Sequence, residues 1–174
     1  MPTAAVRLLI VDDHAVLRAV LRSVLESGDI SVVGEGANGR EALQMTALLE
    51  PDVVLLDMNM PVMNGIEAAQ WLTLQHPQVA VLGLSAGDSV YAETAMRAAG
   101  AMGFVAKGAG APELRVAILH AHEAHKARAA SAASTTTESA QLPHQNEDAA
   151  LKSAASSLVS SVNGCRPPAR SGTA

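Results

Sequence analysis

Apolar positions along the first 125 residues alternate between two patterns. Short, largely apolar runs at 6–11, 30–35, 52–56, 79–84 and 102–106 are separated by segments with helical spacing. Near-continuous apolar strands are buried on both faces, as in a parallel sheet covered by helices. A first helix is predicted over 14–26, with Val16, Leu17, Val20, Leu21, Val24 and Leu25 on one stripe. The second starts at Asn38, where Glu41 three residues later completes a capping box, and it ends before Pro51. A third covers 65–74. A fourth lies within 88–99 and stops at Gly100, which suits a left-handed residue after the last turn. The fifth begins near Pro112, a first-turn residue, and turns Leu114, Ile118 and Leu119 inward. Five βα units in this order predict an α/β fold: a doubly wound, five-stranded parallel sheet with helices on both faces. In such sheets ligands bind beyond the carboxyl ends of the strands.

Composition divides the chain near residue 126. Residues 1–125 carry 7 basic and 14 acidic residues, and 126–174 carry 5 and 3. The second part is rich in Ala, Ser and Thr, and its only large aliphatics are Leu142, Leu151, Leu158, Val159 and Val162. So little apolar area does not offset the entropy of ordering the segment. The expected organisation is a folded domain over 1–125 and a disordered tail over 126–174, with 147–162 the one stretch patterned for a short helix. The overall charge of −5 disfavours a wholly basic nucleic-acid binder. A single cysteine, Cys165, excludes an internal disulfide framework. Without an apolar run long enough for a signal core or a span, a cytoplasmic protein with no membrane insertion is expected.

The strand ends carry the chemistry. Asp12 and Asp13 follow the first strand, Asp57 the third, Ser85 the fourth and Lys107 the fifth. In a parallel sheet these residues gather at one edge. Clustered carboxylates repel unless a cation joins them. Hard oxygen donors suit Mg²⁺, for which Mn²⁺ can substitute. Mg²⁺ and a lysine can neutralise phosphoryl oxygens while an aspartate attacks phosphorus in line. Asp57, at the end of the middle strand, is the expected nucleophile. Asp12 and Asp13 are the expected metal ligands, with Asp57 and the backbone carbonyl of Asn59 completing the oxygen set. Lys107 pairs with Asp57 or the phosphoryl group, and Ser85 bonds a phosphoryl oxygen. Taken singly, Asp13 or Ser85 reads as a helix cap and Lys107 as a solvated lysine. Their coincidence at successive strand ends outweighs those readings.

These residues lie in VDDH at 11–14, LLDMNMPVMNG at 55–65, LSA at 84–86 and GAMGFVAKGA at 100–109. Over residues 6–122 the set resembles the receiver domain of bacterial two-component response regulators, most closely the LuxR/NarL type. The resemblance implies strand order 2-1-3-4-5 and phosphoryl transfer from a sensor histidine kinase, or a phosphotransfer protein, to Asp57. It implies Mg²⁺ at Asp12 and Asp13, sensing by Ser85 and Lys107, and a switch aromatic at Phe104. The responding surface would be helix 4, strand 5 and helix 5, including Ala92, Ala95, Met96, Glu113 and Ala117, and its small residues allow a homodimer. Slow self-dephosphorylation, not multiple turnover, is expected. The helix-turn-helix output usual for that type is not patterned in 127–174, where Lys152 is the only Lys or Arg between Arg128 and Arg166. Direct DNA binding by this chain is therefore not expected. The alternative is a truncated LuxR/NarL-type regulator lacking its own output.

Other signals carry less. Gly34, Gly36 and Gly39 spell GxGxxG, but after the second strand instead of the first. Asp57-Met58-Asn59 is similar to the start of aspartate-nucleophile phosphatases of the haloacid dehalogenase class. An Asn cannot serve as their general acid, so a phosphatase is the remote enzyme alternative. His120, His122 and His125 read as solvated residues at a fraying helix end, and His14 as lining the acidic site. Trp71 is expected to pack helix 3, and Met45, Met58, Met60 and Met63 read as packing or loop-rim residues.

Overall fold

The computed structural model describes residues 4–87 and 90–138. The helix patterned over 147–162, and Asp88 before the fourth helix, lie outside the described residues. The fold is that of the first compact unit, which closes at Ala133. Its elements are β1 (Val6–Val11), α1 (Ala15–Leu25), β2 (Ile30–Gly36), α2 (Gly39–Leu49), β3 (Val53–Asp57), α3 (Gly65–Gln75), β4 (Ala80–Ser85), α4 (Val90–Ala98), β5 (Gly103–Ala106) and α5 (Ala111–Glu138). The strands form one parallel sheet in the order β2-β1-β3-β4-β5, as expected.

Alternate residues of each strand feed two cores. Leu8, Ile10, Val53, Leu55, Leu82 and Leu84 meet Leu21 and Leu25 of α1 and Leu114 and Ile118 of α5. Leu9, Val11, Val54, Leu56 and Val81 meet Ala42 of α2, Ala68 and Leu72 of α3, and Met96 of α4. Burial of every residue in β3 and β4 follows from this double cover. The edge strand β2 instead alternates buried and half-buried positions. Its register slips between Leu8 and Leu9, which pair with Val32 and Gly34. The slip sets Gly34 under α2, where a Cβ would come within 2.6 Å of Leu49 and 2.9 Å of Met45.

The capping box forms as expected: Glu41 N–H donates to Asn38 Oδ1 at 3.0 Å, and Ala37 N–H donates to Glu41 Oε2 at 2.8 Å. Gly100 ends the α4 region with φ +96°.

Three expectations need correction. The α1 stripe is half as wide as predicted: Val16, Val20 and Val24 are exposed, while Leu21 and Leu25 are buried. Each Val-Leu doublet spans about 100° of helix, so only one member can face the sheet. Met96 is fully buried and belongs to no surface, because Gly83 leaves the space that its methyl fills, with Cε 2.8 Å from where a Cβ would stand. Met58 and Met60 are buried too, as the packing residues expected. Finally, α5 continues through 126–138. Alanine-rich sequence there has high helix propensity, so His122 and His125 lie within the helix and not at its frayed end.

Candidate functional site

The ends of β1, β3, β4 and β5 deliver the expected side chains to one edge. Asp12 follows β1, Asp57 ends β3, Ser85 ends β4, and Lys107 follows β5. Asp12, Asp57 and Ser85 are all buried, at 0%, 1% and 4% exposure. Lys107 Nζ lies 2.7 Å from Asp12 Oδ2 and 2.9 Å from Asp57 Oδ2. One ammonium thus faces two buried carboxylates, with the partly exposed Asp13 beside them. Three acids against one base leave an excess of negative charge in a poorly hydrated place.

Burial is the main influence on Asp57 and raises its carboxyl above the ordinary value. Lys107 and the backbone N–H of Asn59 pull it down, while Asp12 pushes it up further. For Lys107 burial works against the charged form, but Asp12 and Asp57 outweigh it and hold the ammonium above its ordinary value.

The loops that carry these groups are fixed by tight backbone packing. Gly65 N–H donates to Met58 O at 2.9 Å, and a Cβ at Gly65 would fall 2.0 Å from Asp57 O. Only glycine lets α3 begin that close to β3. Lys107 N–H donates to Ser85 O at 2.7 Å, which joins the ends of β4 and β5. Ser85 Oγ donates to Gly87 O at 2.6 Å. Between Met58, Asn59 and Ile66 on one side, and Ser85, Gly87 and Tyr91 on the other, lies an open cleft of about 310 Å³. Asn59 is exposed, two residues beyond Asp57. Phe104 is half-buried in β5, opposite Gly83.

Two residues missed in the sequence support Asp12. Arg18 Nη1 donates to the Asp12 carbonyl at 2.6 Å, and Arg18 Nε lies 3.4 Å from Glu35 Oε2. Glu35 also accepts from Arg22 Nε at 2.5 Å. That bond, with the other Arg22 and Arg18 interactions, holds the Glu35 carboxyl below its ordinary value despite some burial. The available signal was the charge of Arg18 and Arg22 on an otherwise apolar helix face. Asp13 does not cap α1: the cap position is His14, whose side chain makes no capping bond.

The glycines of GxGxxG are used for packing. Gly39 N–H donates to Met63 O at 3.0 Å, and a Cβ there would meet Met63 and Ala68 within 2.8 Å. On α5, the His125 ring meets Pro77 O at 2.9 Å, and His122 is 3.6 Å from Glu123. Neither histidine joins a metal-ligating group among the described residues, where Asp12, Asp13 and His14 form the one such cluster.

The site can accommodate a divalent cation. Asp12 Oδ2 and Asp57 Oδ2 are buried and receive no directed hydrogen bond; each faces only the lysine charge. Oxygen-rich, net-negative donors of this kind fit a hard cation.

Residues 8–119 match the family model described as the response regulator receiver domain. The chain is 37% identical over 114 residues to the response regulator GacA of Pseudomonas viridiflava, covering 65% of this chain and 53% of GacA. It thus spans about half the length of the GacA relatives it matches. It is similar to the solved signal receiver domain of the putative response regulator NarL from Mycobacterium tuberculosis: TM-score 0.67, 33% identity, 70% of this chain and 98% of that one. It is also similar to a chain of the CheX-CheY-BeF3-Mg²⁺ complex from Borrelia burgdorferi, with TM-score 0.60, 25% identity, and 64% and 86% coverage. No helix among the described residues is long and apolar enough to cross a membrane.

Proposed function

The chain belongs to the response regulator receiver domain family, and we propose that it serves phosphorelay signalling by accepting a phosphoryl group on Asp57. Family membership implies a cognate sensor kinase or phosphotransfer protein as partner. The observation that carries the reading is a buried carboxylate at the end of the central strand, 2.9 Å from a lysine ammonium and beside two further acids.

In this reading an Asp57 carboxylate oxygen attacks phosphorus of the partner's phosphohistidine. A P–O bond forms, the P–N bond breaks, and the electron pair leaves with the imidazole. Asp12, Asp13, Asp57 and the Asn59 carbonyl would hold Mg²⁺, with Mn²⁺ able to substitute. When bound, the ion supplies neutralising charge for the phosphoryl oxygens. The BeF3 and Mg²⁺ in the similar Borrelia complex support this assignment. Lys107 orients the acceptor and then pairs with the transferred group. Ser85 Oγ exchanges the Gly87 carbonyl for a phosphoryl oxygen. Because Lys107 N–H is bonded to Ser85 O, the two sensing residues move together and bear on Phe104. The outer face of α4, β5 and α5, with Ala95, Glu113 and Ala117, then presents the changed surface to a partner or a second copy. The side chain of Ala92, also placed on that face by the sequence, lies outside the described residues. We place this activity in the cytoplasm.

Incubation with acetyl phosphate and Mg²⁺ is expected to add the mass of one phosphoryl group to the full chain, and Asp57→Ala is expected to abolish the gain. Undiminished labelling of the Asp57→Ala protein would overturn the assignment. Sustained Asp57-dependent hydrolysis of a phosphomonoester would favour a phosphatase.

A further inference from the structure

The family's expected metal set is made of oxygen. This chain adds a nitrogen. His14 directly follows the two acids and is exposed, and its ring turns back onto them. Its Nδ1 is 2.8 Å from Asp13 Oδ1 and 3.3 Å from Asp12 Oδ1. One donor atom from each of the three residues lies within 4.8 Å of the others. Neighbouring donors on an octahedral cation, with bonds of about 2.1 Å at right angles, stand about 3.0 Å apart. The two imidazole–carboxylate separations bracket that spacing.

The position of the ring is set by the backbone. His14 N–H donates to Asp12 Oδ1 at 2.8 Å, and the side chain takes no part in capping α1. Meanwhile Asp12 is fully buried, and its Oδ2 receives no directed hydrogen bond. That oxygen turns to Lys107 at 2.7 Å, while Oδ1, on the other side of the carboxylate, adjoins the imidazole.

We propose that His14 is a direct ligand of the divalent cation at Asp12 and Asp13, and shifts the preference of the site toward first-row transition ions. An imidazole nitrogen adds little for Mg²⁺, which favours oxygen, and much more for Co²⁺ or Zn²⁺. The inference rests on reading this pocket as a cation site, and adds to that reading the class of cation it selects.

The test uses the full chain and bare metal salts. Pulsed electron paramagnetic resonance of the Mn²⁺-loaded protein is expected to show ¹⁴N modulation from one imidazole, absent in His14→Ala. In equilibrium dialysis His14→Ala is expected to weaken Co²⁺ binding about tenfold and Mg²⁺ binding less than about twofold. His14 is exposed, and an unchanged circular dichroism spectrum verifies that His14→Ala folds. Nitrogen modulation that persists in His14→Ala places the ion on another histidine and overturns the proposal. Mn²⁺ binding with no nitrogen modulation in the wild type also overturns it, but leaves the acceptor reading standing. Failure of every divalent ion to bind removes the cation site itself, and both readings of it.

Discussion

At the amino-terminal end of the sheet, Arg7 donates to the Leu49 and Glu50 carbonyls, Asp52 Oδ2 accepts from Arg7 N–H at 2.8 Å, and the His125 ring reaches Pro77 O. These bonds are exposed, and each of them runs to a backbone group. At the carboxyl end, Asp12 and Asp57 are sealed from solvent, and both turn an oxygen to a single ammonium. The same sheet therefore treats ionised groups in opposite ways at its two ends. Charges at the first end trim the fold; charges at the second are held in a condition that would be unfavourable without a further positive group. A protein tolerates such a concentration where binding or chemistry needs it.

The most severe way to disturb this contrast is Lys107→Met. Two buried carboxylates would lose their shared counter-charge, at a cost of about 3 kcal/mol, the lower end for breaking a buried pair. Urea unfolding in the presence of a chelator measures it. Adding Asp57→Asn should recover part of the loss, and strict additivity of the two substitutions would show that the pair is uncoupled.

The next test is pH. The folded chain retains the Asp57 proton where the unfolded chain, with an ordinary Asp value of about 3.9, has released it. In that interval the folded state binds more protons, so stability falls as pH rises through it. Asp57→Asn should abolish this fall in chelator-treated protein. Glu35 acts with the opposite sign: its carboxyl is held low, so its contribution is present above the ordinary Glu value and is lost as pH falls toward the folded one. A urea midpoint that climbs through the Asp57 interval in wild type, and is unaltered by Asp57→Asn, would contradict the burial argument.

The smallest effect belongs to the other end. Asp52→Ala removes one exposed bond to Arg7 N–H, and should cost about 1 kcal/mol or less by urea unfolding, with phosphoryl acceptance unchanged. A loss comparable to that of Lys107→Met would erase the distinction between the two ends.

Much of this arrangement was legible in the chain. Five short, largely apolar runs predicted a covered parallel sheet, and parallel strands oblige Asp12, Asp57, Ser85 and Lys107 to share an edge. Asn38 with Glu41 marked a helix start, and Gly100 a helix stop, because capping is local chemistry. What escaped notice depended on neighbours distant in sequence. The valines of α1 share the periodicity of its leucines, and only the sheet decides which side is covered. Met96 is buried because Gly83, on another element, yields room. Arg18 acts on Asp12 through a carbonyl and through Glu35 from β2, a relation that no spacing rule encodes.

The missing side chain at position 65 has a practical consequence for anyone reshaping this protein. With the Asp57 carbonyl 2.0 Å from where a methyl would stand, a mutational library gains nothing by sampling that codon. Diversity is better spent on the outward valines of α1, whose side chains are exposed.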